Sequence, residues 1–285
     1  MLSWTIGDVT VSRIVELETV VPYHPKRPMI GEATPEALKQ MPWLYPHFVT
    51  DEGHLKTSVH ALLVAAPGIK LVVDTCIGND KPRRMLGGHA LHTRFLEALS
   101  AAGWSCDDVD AVLCTHLHVD HVGWNTRLDG DRWVPTFPRA RYLIGRTEYE
   151  HWRSTATGED AAVLNDSVQP IFAAGLAELM EMDQRITPEI RLMPTPGHTP
   201  GHVSVVIESQ GQRALITGDT LHHPCQFGEP TWSTSFDSDK LAAQVMRREL
   251  LATLADQPTL IIGTHFASPC AGHLRSAGDS YRFDV

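Results

Sequence analysis

The residues best suited to do chemistry lie in one short stretch, Thr115-His116-Leu117-His118-Val119-Asp120-His121. It follows an apolar segment, residues 110–114, that predicts a buried strand. In an extended chain, side chains two residues apart point the same way, so His116 and His118 share a direction. If a turn begins at Val119, Asp120 and His121 swing to the neighbouring side, and the loop offers two ligands to each of two metal ions. Imidazole and carboxylate without thiolate favour zinc, with manganese, iron or cobalt as alternatives.

A chance grouping of polar residues at a strand end is the alternative interpretation of this stretch. A lone H-x-H would support it, but four candidate ligands within the six residues 116–121 do not. Both nitrogens of each buried imidazole would otherwise need hydrogen-bond partners. The spacing therefore favours a metal site.

Three further ligand-type residues, His198, Asp219 and His265, stand in the same kind of position. Each follows an apolar segment predicted as a strand, with a glycine just before the ligand or one residue earlier. Alone, Gly-Asp or Gly-His is also typical of an ordinary turn. Together with residues 116–121, they predict ligands gathered at the carboxyl ends of several strands.

The elements that must position these residues can be predicted from hydrophobic periodicity. A hairpin is expected at residues 4–6 and 9–11. Further strands are expected at residues 59–65, 70–73, 111–114, 141–144, 190–193, 202–208, 213–217 and 260–262, the last being the final strong strand. Helices are expected at residues 90–102, 161–182 with a break at Pro170, and 238–255 with Ser238 or Asp237 as the cap. This pattern predicts one α/β domain over residues 1–285.

A segment rich in proline and aromatic residues, at about residues 21–50, cannot be one regular element. It contains six prolines and also Tyr23, Trp43, Tyr45 and Phe48. Either a linker or an ordered arm fits this composition, and the aromatic residues favour the arm. Packing of this arm across a homodimer is left open.

Composition excludes several classes of protein. With 24 Lys and Arg against 34 Asp and Glu among 285 residues, the formal net charge is −10. This charge argues against nucleic acid or an anionic membrane as a partner and leaves a small-molecule substrate. The five cysteines form no C-x-x-C pattern, which favours reduced thiols. With no signal peptide and no long apolar stretch, we expect a soluble, cytoplasmic protein.

The order HLHVDH, PGHTPGH, TGD and GTH resembles the metallo-β-lactamase superfamily over residues 58–265. The resemblance implies an αββα four-layer sandwich with a binuclear zinc site. It implies that His116, His118 and His198 hold one metal, that Asp120, His121 and His265 hold the other, and that Asp219 bridges them. It also implies that Asp74 supports the ligands from behind. His202 is either a similar support or an ordinary turn residue.

This resemblance implies hydrolysis by a hydroxide that bridges the two metals. Asp120 would orient the hydroxide and pass a proton to the leaving group. The branches most similar are the acyl-homoserine lactone lactonases and the methyl parathion hydrolase-like enzymes, so we expect a lactonase or esterase, with phosphotriesterase or arylesterase activity as the alternative. The lactonases usually carry a tyrosine three residues after the bridging aspartate, where this chain has His222. We expect His222 to contact a substrate oxygen, and its presence resembles the parathion hydrolase branch.

Two other classes are alternatives. One is a metal-bearing scaffold or sensor without turnover, which an intact Asp120 and seven ligands argue against. The other is a redox relative that uses iron.

Overall fold

The computed structural model describes residues 1–285, which divide into two compact units. Unit 1 comprises Met1–Glu16 and Val59–Gln184, and unit 2 comprises Leu17–Ser58 and Arg185–Val285. Each unit is built from two separate stretches of chain. The expectation of a single domain over residues 1–285 stays a prediction.

Nine strands precede residue 185. They are β1 (Ser3–Ile6), β2 (Val9–Val21), β3 (Leu55–Ala66), β4 (Ile69–Val73), β5 (Ala111–Cys114), β6 (Thr126–Asp129), β7 (Arg132–Pro135), β8 (Arg141–Gly145) and β9 (Ala177–Met180). Seven of them form a sheet in the order β1-β2-β3-β4-β5-β8-β9, while β6 and β7 form a separate hairpin. The pairs β4–β5, β5–β8 and β8–β9 are parallel. The carboxyl ends of these four strands therefore lie along one edge of the sheet.

The remaining six strands form the sheet of unit 2. They are β10 (Ile190–Pro194), β11 (Val203–Ser209), β12 (Gln212–Ile216), β13 (Leu260–Ile262), β14 (Ala271–Ala277) and β15 (Ser280–Asp284), paired in that order. Strands β12 and β13 are parallel, and β10 runs in the same direction because both β10 and β12 are antiparallel to β11. The chain thus leaves β10, β12 and β13 at the same edge of the sheet.

Seven α-helices connect these strands. They are α1 (Pro35–Leu38), α2 (Phe95–Ala101), α3 (Arg146–Thr155), α4 (Gly158–Val163), α5 (Gln169–Ala173), α6 (Cys225–Gly228) and α7 (Lys240–Leu254). A π-helical stretch, Leu164–Val168, joins α4 to α5. None of these helices is both long and apolar enough to cross a membrane.

Each unit has an apolar core. In unit 1, Val112 of β5 and Tyr142 of β8 are buried with Phe95 of α2 in one cluster. Strand β5 is buried at all four positions, as expected for the continuous apolar sequence of a parallel strand covered on both faces. In unit 2, Phe227 stacks on Phe283 with ring centroids 4.8 Å apart.

The predicted strands are found, most of them with shifts of a few residues at their ends, although β2 continues to Val21 instead of ending at residue 11. Two helix predictions need correction. Residues 177–180 were expected to be helical and instead form β9, because parallel pairing with β8 outweighs the helix preference of Ala, Glu, Leu and Met. Helix α2 begins at Phe95 rather than at residue 90. Asn79 donates to the Thr93 carbonyl and accepts from its amide, at 3.0 and 2.7 Å, which ties the preceding residues to another segment.

The predicted cap of the last helix is also wrong. The N-cap of α7 is Asp239, whose carboxylate accepts from the Ala242 amide at 3.0 Å. Asp237 is instead buried and bonded elsewhere. The sequence prediction missed α3, α6, the β6–β7 hairpin, and the strands β14 and β15 that follow β13.

The proline-rich segment at residues 21–50 is folded within unit 2. Thr34 caps α1 by accepting from the Ala37 amide at 3.2 Å, and Pro35 occupies the first helical position. Leu44 and Phe48 are completely buried. The prolines thus start and interrupt short elements.

Candidate metal centre

The loop after β5 gathers four of the predicted ligands within unit 1. The Nε2 atom of His116 lies 3.1 Å from Nδ1 of His118, and the rings of His116 and His121 lie 4.0 Å apart. Nε2 of His121 lies 3.8 Å from a carboxylate oxygen of Asp120. Ligands at about 2.1 Å from a tetrahedral zinc ion stand about 3.4 Å apart. The two atom-to-atom distances, 3.1 and 3.8 Å, are close to this value and fit donor atoms that could surround a metal ion.

Asp74, at the end of β4, fixes this loop from behind. Its carboxylate accepts from the amide and the hydroxyl of Thr115 at 2.8 and 2.9 Å. The same carboxylate lies 2.9 Å from Nδ1 of His121. Because the Thr115 hydroxyl donates to Asp74, its oxygen is left to accept from Nδ1 of His116, 3.1 Å away. Both histidines are consequently oriented through Nδ1, and their Nε2 atoms face the predicted ligands His118 and Asp120 respectively.

Glu148 of α3 gives the loop a second support that the sequence did not reveal. Its buried carboxylate accepts from the Leu117 amide at 3.1 Å and from the Trp152 indole at 2.6 Å. The Trp152 ring in turn lies edge-on to His118, 5.3 Å away. No sequence signal marked Glu148, because α3 itself was not predicted.

In unit 2, the three remaining predicted ligands meet at one carboxylate oxygen. Oδ2 of Asp219 lies 3.4 Å from Nε2 of His198 and 3.2 Å from Nε2 of His265. The other carboxylate oxygen accepts from the Thr264 hydroxyl at 3.1 Å. The three side chains are buried. This set leaves Oδ2 as the oxygen directed towards both imidazoles.

His202 holds Asp219 in place. Its Nε2 accepts from the Asp219 amide at 2.8 Å, while Nδ1 lies 2.8 Å from the Thr195 hydroxyl. Of the two roles left open for His202, the support role fits these contacts.

The two ligand histidines of unit 2 also have their Nδ1 atoms engaged. Nδ1 of His265 lies 3.0 Å from the Ser58 carbonyl oxygen, and Nδ1 of His198 lies 3.0 Å from the Asp237 carboxylate. Burial by itself raises the pKa of Asp237, but the hydrogen bond from His198 and the charges of His222, His198 and Arg247 lower it to about 2. Asp237 therefore stays ionised and orients His198. Sequence reasoning placed Asp237 at a helix cap and missed this contact.

His222 differs from its neighbours because neither of its ring nitrogens makes a hydrogen bond, although the side chain is buried. Its Nε2 lies 3.2 Å from Oδ2 of Asp219. Its ring is stacked on that of His265 at 5.7 Å. His222 therefore lies at ion-pair distance from the predicted ligand Asp219, and with His198 and Asp237 it forms a further group of side chains that could hold a metal ion.

The donor chemistry of both sets fits a transition-metal ion. The donors are imidazole nitrogens and carboxylate oxygens, and none of the five cysteines forms a disulfide. His116, His121, His198 and His265 each engage Nδ1 and direct Nε2 towards another predicted ligand, as histidines around a shared metal ion do. The seven ligand assignments and the catalytic roles of Asp120 and His222 stay predictions.

The aromatic residues near the ligands serve the core. Phe48, Phe227 and Phe266 are completely buried in unit 2, where Phe266 lies 5.7 Å from Phe227.

Comparison with known proteins identifies the class. The profile of the metallo-beta-lactamase superfamily matches residues 56–265, and the chain belongs to this superfamily. An N-acyl homoserine lactonase from Bacillus sp is 27% identical over 171 residues, which are 60% of this chain and 61% of the relative. A probable metallo-hydrolase, YybB of Bacillus subtilis (strain 168), is 28% identical over 60% of this chain and 71% of its own length.

Solved structures agree with this assignment. The hydrolase AbOPH, described as a member of the beta lactamase superfamily, superposes with a TM-score of 0.80 at 25% identity, covering 99% of this chain and 95% of that one. AidC, a dizinc quorum-quenching lactonase, also gives 0.80, at 20% identity over 99% and 96% of the two chains. The predicted fold class, α/β of the metallo-β-lactamase type, is confirmed, and so is the prediction of a hydrolase of this superfamily at the level of the family.

Proposed function

We propose that this chain is a binuclear zinc-dependent hydrolase of small apolar esters, with lactones as its substrates. The observation that carries the proposal is the orientation of His121, His198 and His265, whose Nδ1 atoms are hydrogen-bonded while Nε2 points towards the carboxylate of Asp120 or Asp219. The similarity to N-acyl homoserine lactonases supports the substrate class. The matched region covers 61% of the length of the N-acyl homoserine lactonase from Bacillus sp, so lactonase activity of this chain is part of the proposal.

The family pattern assigns the ligands. His116, His118 and His198 would hold one ion, Asp120, His121 and His265 the other, and Asp219 both. Zinc fits the donor set best, and Mn²⁺, Fe²⁺ or Co²⁺ fit the same donors. When bound, two such ions would supply a water-derived nucleophile at neutral pH and polarise the ester carbonyl.

Two residues of this chain would handle the proton and the substrate oxygen. The side chain of Asp120 is partly exposed at 18% and can carry a proton to the leaving alkoxide. His222, with no hydrogen bond to either ring nitrogen, can donate to a substrate oxygen. Both would act on the reacting ester.

Phosphotriesters are the second candidate substrates. His222 stands where the lactonases usually have a tyrosine, and imidazole is a different donor from a phenol. This difference favours the branch similar to methyl parathion hydrolase. Both substrate classes need a polarised oxygen and an attacking water.

A substrate panel tests the proposal. Lactones of varied acyl length, aryl esters and aryl phosphotriesters would be assayed with the chain loaded with zinc, manganese or cobalt. We expect the highest kcat/KM on lactones and its loss after chelation. Faster hydrolysis of phosphotriesters than of every lactone would reverse the ranking. Turnover unaffected by chelators, or fewer than one zinc per chain, would refute metal-dependent hydrolysis.

A further inference from the structure

Glu16 of β2 is a buried carboxylate that none of the predicted roles explains. One of its oxygens accepts from the Ile77 amide at 2.7 Å, and the other accepts from the Gly78 amide at 3.2 Å. The second oxygen also accepts from the Trp124 indole at 2.6 Å and from the Thr93 hydroxyl at 3.3 Å. Glu16 thus engages four donors from three separate segments of unit 1.

Two of those segments continue from the residues that form the unit 1 ligand set. Ile77 and Gly78 follow Asp74, which holds His121 and Thr115. Trp124 follows His121 by three residues. The Glu16 carboxylate therefore binds two segments at once. One is residues 77–78, which follow Asp74, and the other is Trp124, which follows the predicted ligand His121.

The backbones of these two segments are also joined directly. The Thr75 amide donates to the His121 carbonyl at 2.8 Å, and the Trp124 amide donates to the Thr75 carbonyl at 2.7 Å. A Cβ on Gly123 would lie only 1.8 Å from the Ile77 carbonyl oxygen. Because the segments approach this closely, a shift of residues 77–78 would move the backbone of His121.

Burial raises the pKa of the Glu16 carboxyl above its usual value, and the hydrogen bonds from Ile77, Trp124, Gly78 and Thr93 act against this rise by favouring the ionised form. Hydrogen bonds to an ionised carboxylate are shorter and stronger than those between neutral groups. The Trp124 ring is also stacked on Phe95, 5.2 Å away, so the indole is fixed by packing as well as by Glu16.

We propose that Glu16 is a positioning residue of the metal centre, which sets the Asp74 and His121 segments through Ile77, Gly78 and Trp124. The proposal rests on the proposed metal centre and does not depend on which ester is hydrolysed. Glu16 hydrogen-bonds to neither Asp74 nor His121, so its effect must reach the metal through the backbone of the two segments.

The test uses Glu16→Gln in the full chain. A glutamine keeps the length but turns one acceptor into an NH₂ group that faces a donor. We expect zinc affinity, measured by competition with a chromophoric chelator, to fall about tenfold, as for other groups that orient ligands. The visible spectrum of the Co²⁺-loaded chain should change as well.

A matched control separates positioning from loss of stability. Val9→Ala removes buried volume from the same strand, far along the chain from Ile77. It should lower the thermal midpoint without changing zinc affinity. Unchanged affinity in Glu16→Gln, or an equal affinity loss in Val9→Ala, would overturn the proposal.

Trp124→Phe gives a second route if Glu16→Gln does not fold. It removes the indole donor and keeps a ring to stack on Phe95. We expect a smaller affinity loss than in Glu16→Gln, together with the same change in the Co²⁺ spectrum. Wild-type affinity and spectrum in this variant would also overturn the proposal. Zinc binding without ester turnover in the wild type would instead count against the proposed function alone.

Discussion

In three of the predicted ligand histidines, a carboxylate or a backbone carbonyl binds Nδ1 and so determines which ring nitrogen carries the proton. His121 faces Asp74, His198 faces Asp237, and His265 faces a backbone carbonyl. An imidazole that donates through Nδ1 presents the lone pair of Nε2 in a fixed direction. Hydrogen bonds to Nδ1 therefore orient these three predicted ligands.

Asp237→Asn tests this orientation. The Asp237 carboxylate also accepts from the Thr234 amide at 3.2 Å and lies 4.0 Å from the Arg247 guanidinium. An asparagine can accept from only one side, and its NH₂ group must face Thr234 or His198. We expect zinc affinity to fall about tenfold to a hundredfold, measured by chelator competition.

Asp239→Asn is the matched control for that change. Asp239 lies two residues further on and caps α7, where asparagine is an equally good N-cap. Zinc affinity and the thermal midpoint should stay close to wild type. An Asp237→Asn variant that binds zinc as tightly as Asp239→Asn would contradict the orienting role.

The sequence reveals ligands more readily than the residues that orient them. His116, His118, Asp120 and His121 are adjacent in the chain, so their spacing alone indicates a site. Asp237 is 39 residues from His198, and Glu148 is 31 residues from Leu117. Such pairs are brought together only by tertiary folding, and a lone Asp or Glu in a sequence carries no sign of its partner.

At the scale of elements, strand ends were predicted well and helices less well. The parallel strands β4 and β5 read as apolar runs, and the edge at which they end follows from their direction. Residues 177–180 have strong helix formers and still form β9, because Gly175 adopts a positive φ of 71° that helps to end the helix and β8 offers a pairing edge. Local preference thus decides only where no neighbouring strand competes.

Three elements of unit 1 meet around a buried lysine. Nζ of Lys81 donates to the Thr126 carbonyl of β6 at 2.9 Å and lies 3.9 Å from the Trp133 ring of β7. Arg83 makes two hydrogen bonds, 2.8 and 2.7 Å, to Asp166 of the π-helical stretch. Burial lowers the pKa of Lys81 to about 7, with Arg83 acting in the same direction and Asp166, Asp80 and Glu16 opposing it.

This lysine predicts a pH dependence of stability. Its pKa is about 7 in the folded chain against 10.5 for an ordinary lysine, so folding disfavours the charged form. The resulting penalty is complete below pH 7 and is relieved as the pH rises towards 10.5. Between pH 7 and 9, we expect the free energy of unfolding of the wild type to rise by about 2 kcal/mol relative to Lys81→Met, measured by urea titration.

Lys70→Met controls for the loss of a lysine as such. Its side chain is 39% exposed in the same unit, and its stability difference from the wild type should not change over that pH range. A difference in the free energy of unfolding between Lys81→Met and the wild type that stays constant from pH 7 to 9 would contradict the prediction. Lys81 would then be charged in the folded chain and stabilised by its contacts with Thr126 and Trp133.

At the scale of the whole molecule, the predicted ligands belong to two units that are each built from two stretches of chain. Four of the seven lie in unit 1 and three in unit 2, on loops that follow different strands. These residues extend from His116 to His265 in the sequence, so they lie far apart in space when the chain is unfolded. A metal that binds the folded chain and not the unfolded chain must therefore stabilise folding.

Zinc should consequently raise the free energy of unfolding of the apo chain. At a free zinc concentration about a thousandfold above the dissociation constant, one ion contributes about 4 kcal/mol. Urea titrations of the apo chain with and without zinc would measure this difference. His116→Ala in unit 1 and His265→Ala in unit 2 should each reduce it, while His92→Ala, at a side chain that is 75% exposed, should not. Equal stability with and without zinc would show that these residues form no metal centre, because buried ligands that bind an ion only in the fold cannot leave the folding equilibrium unchanged.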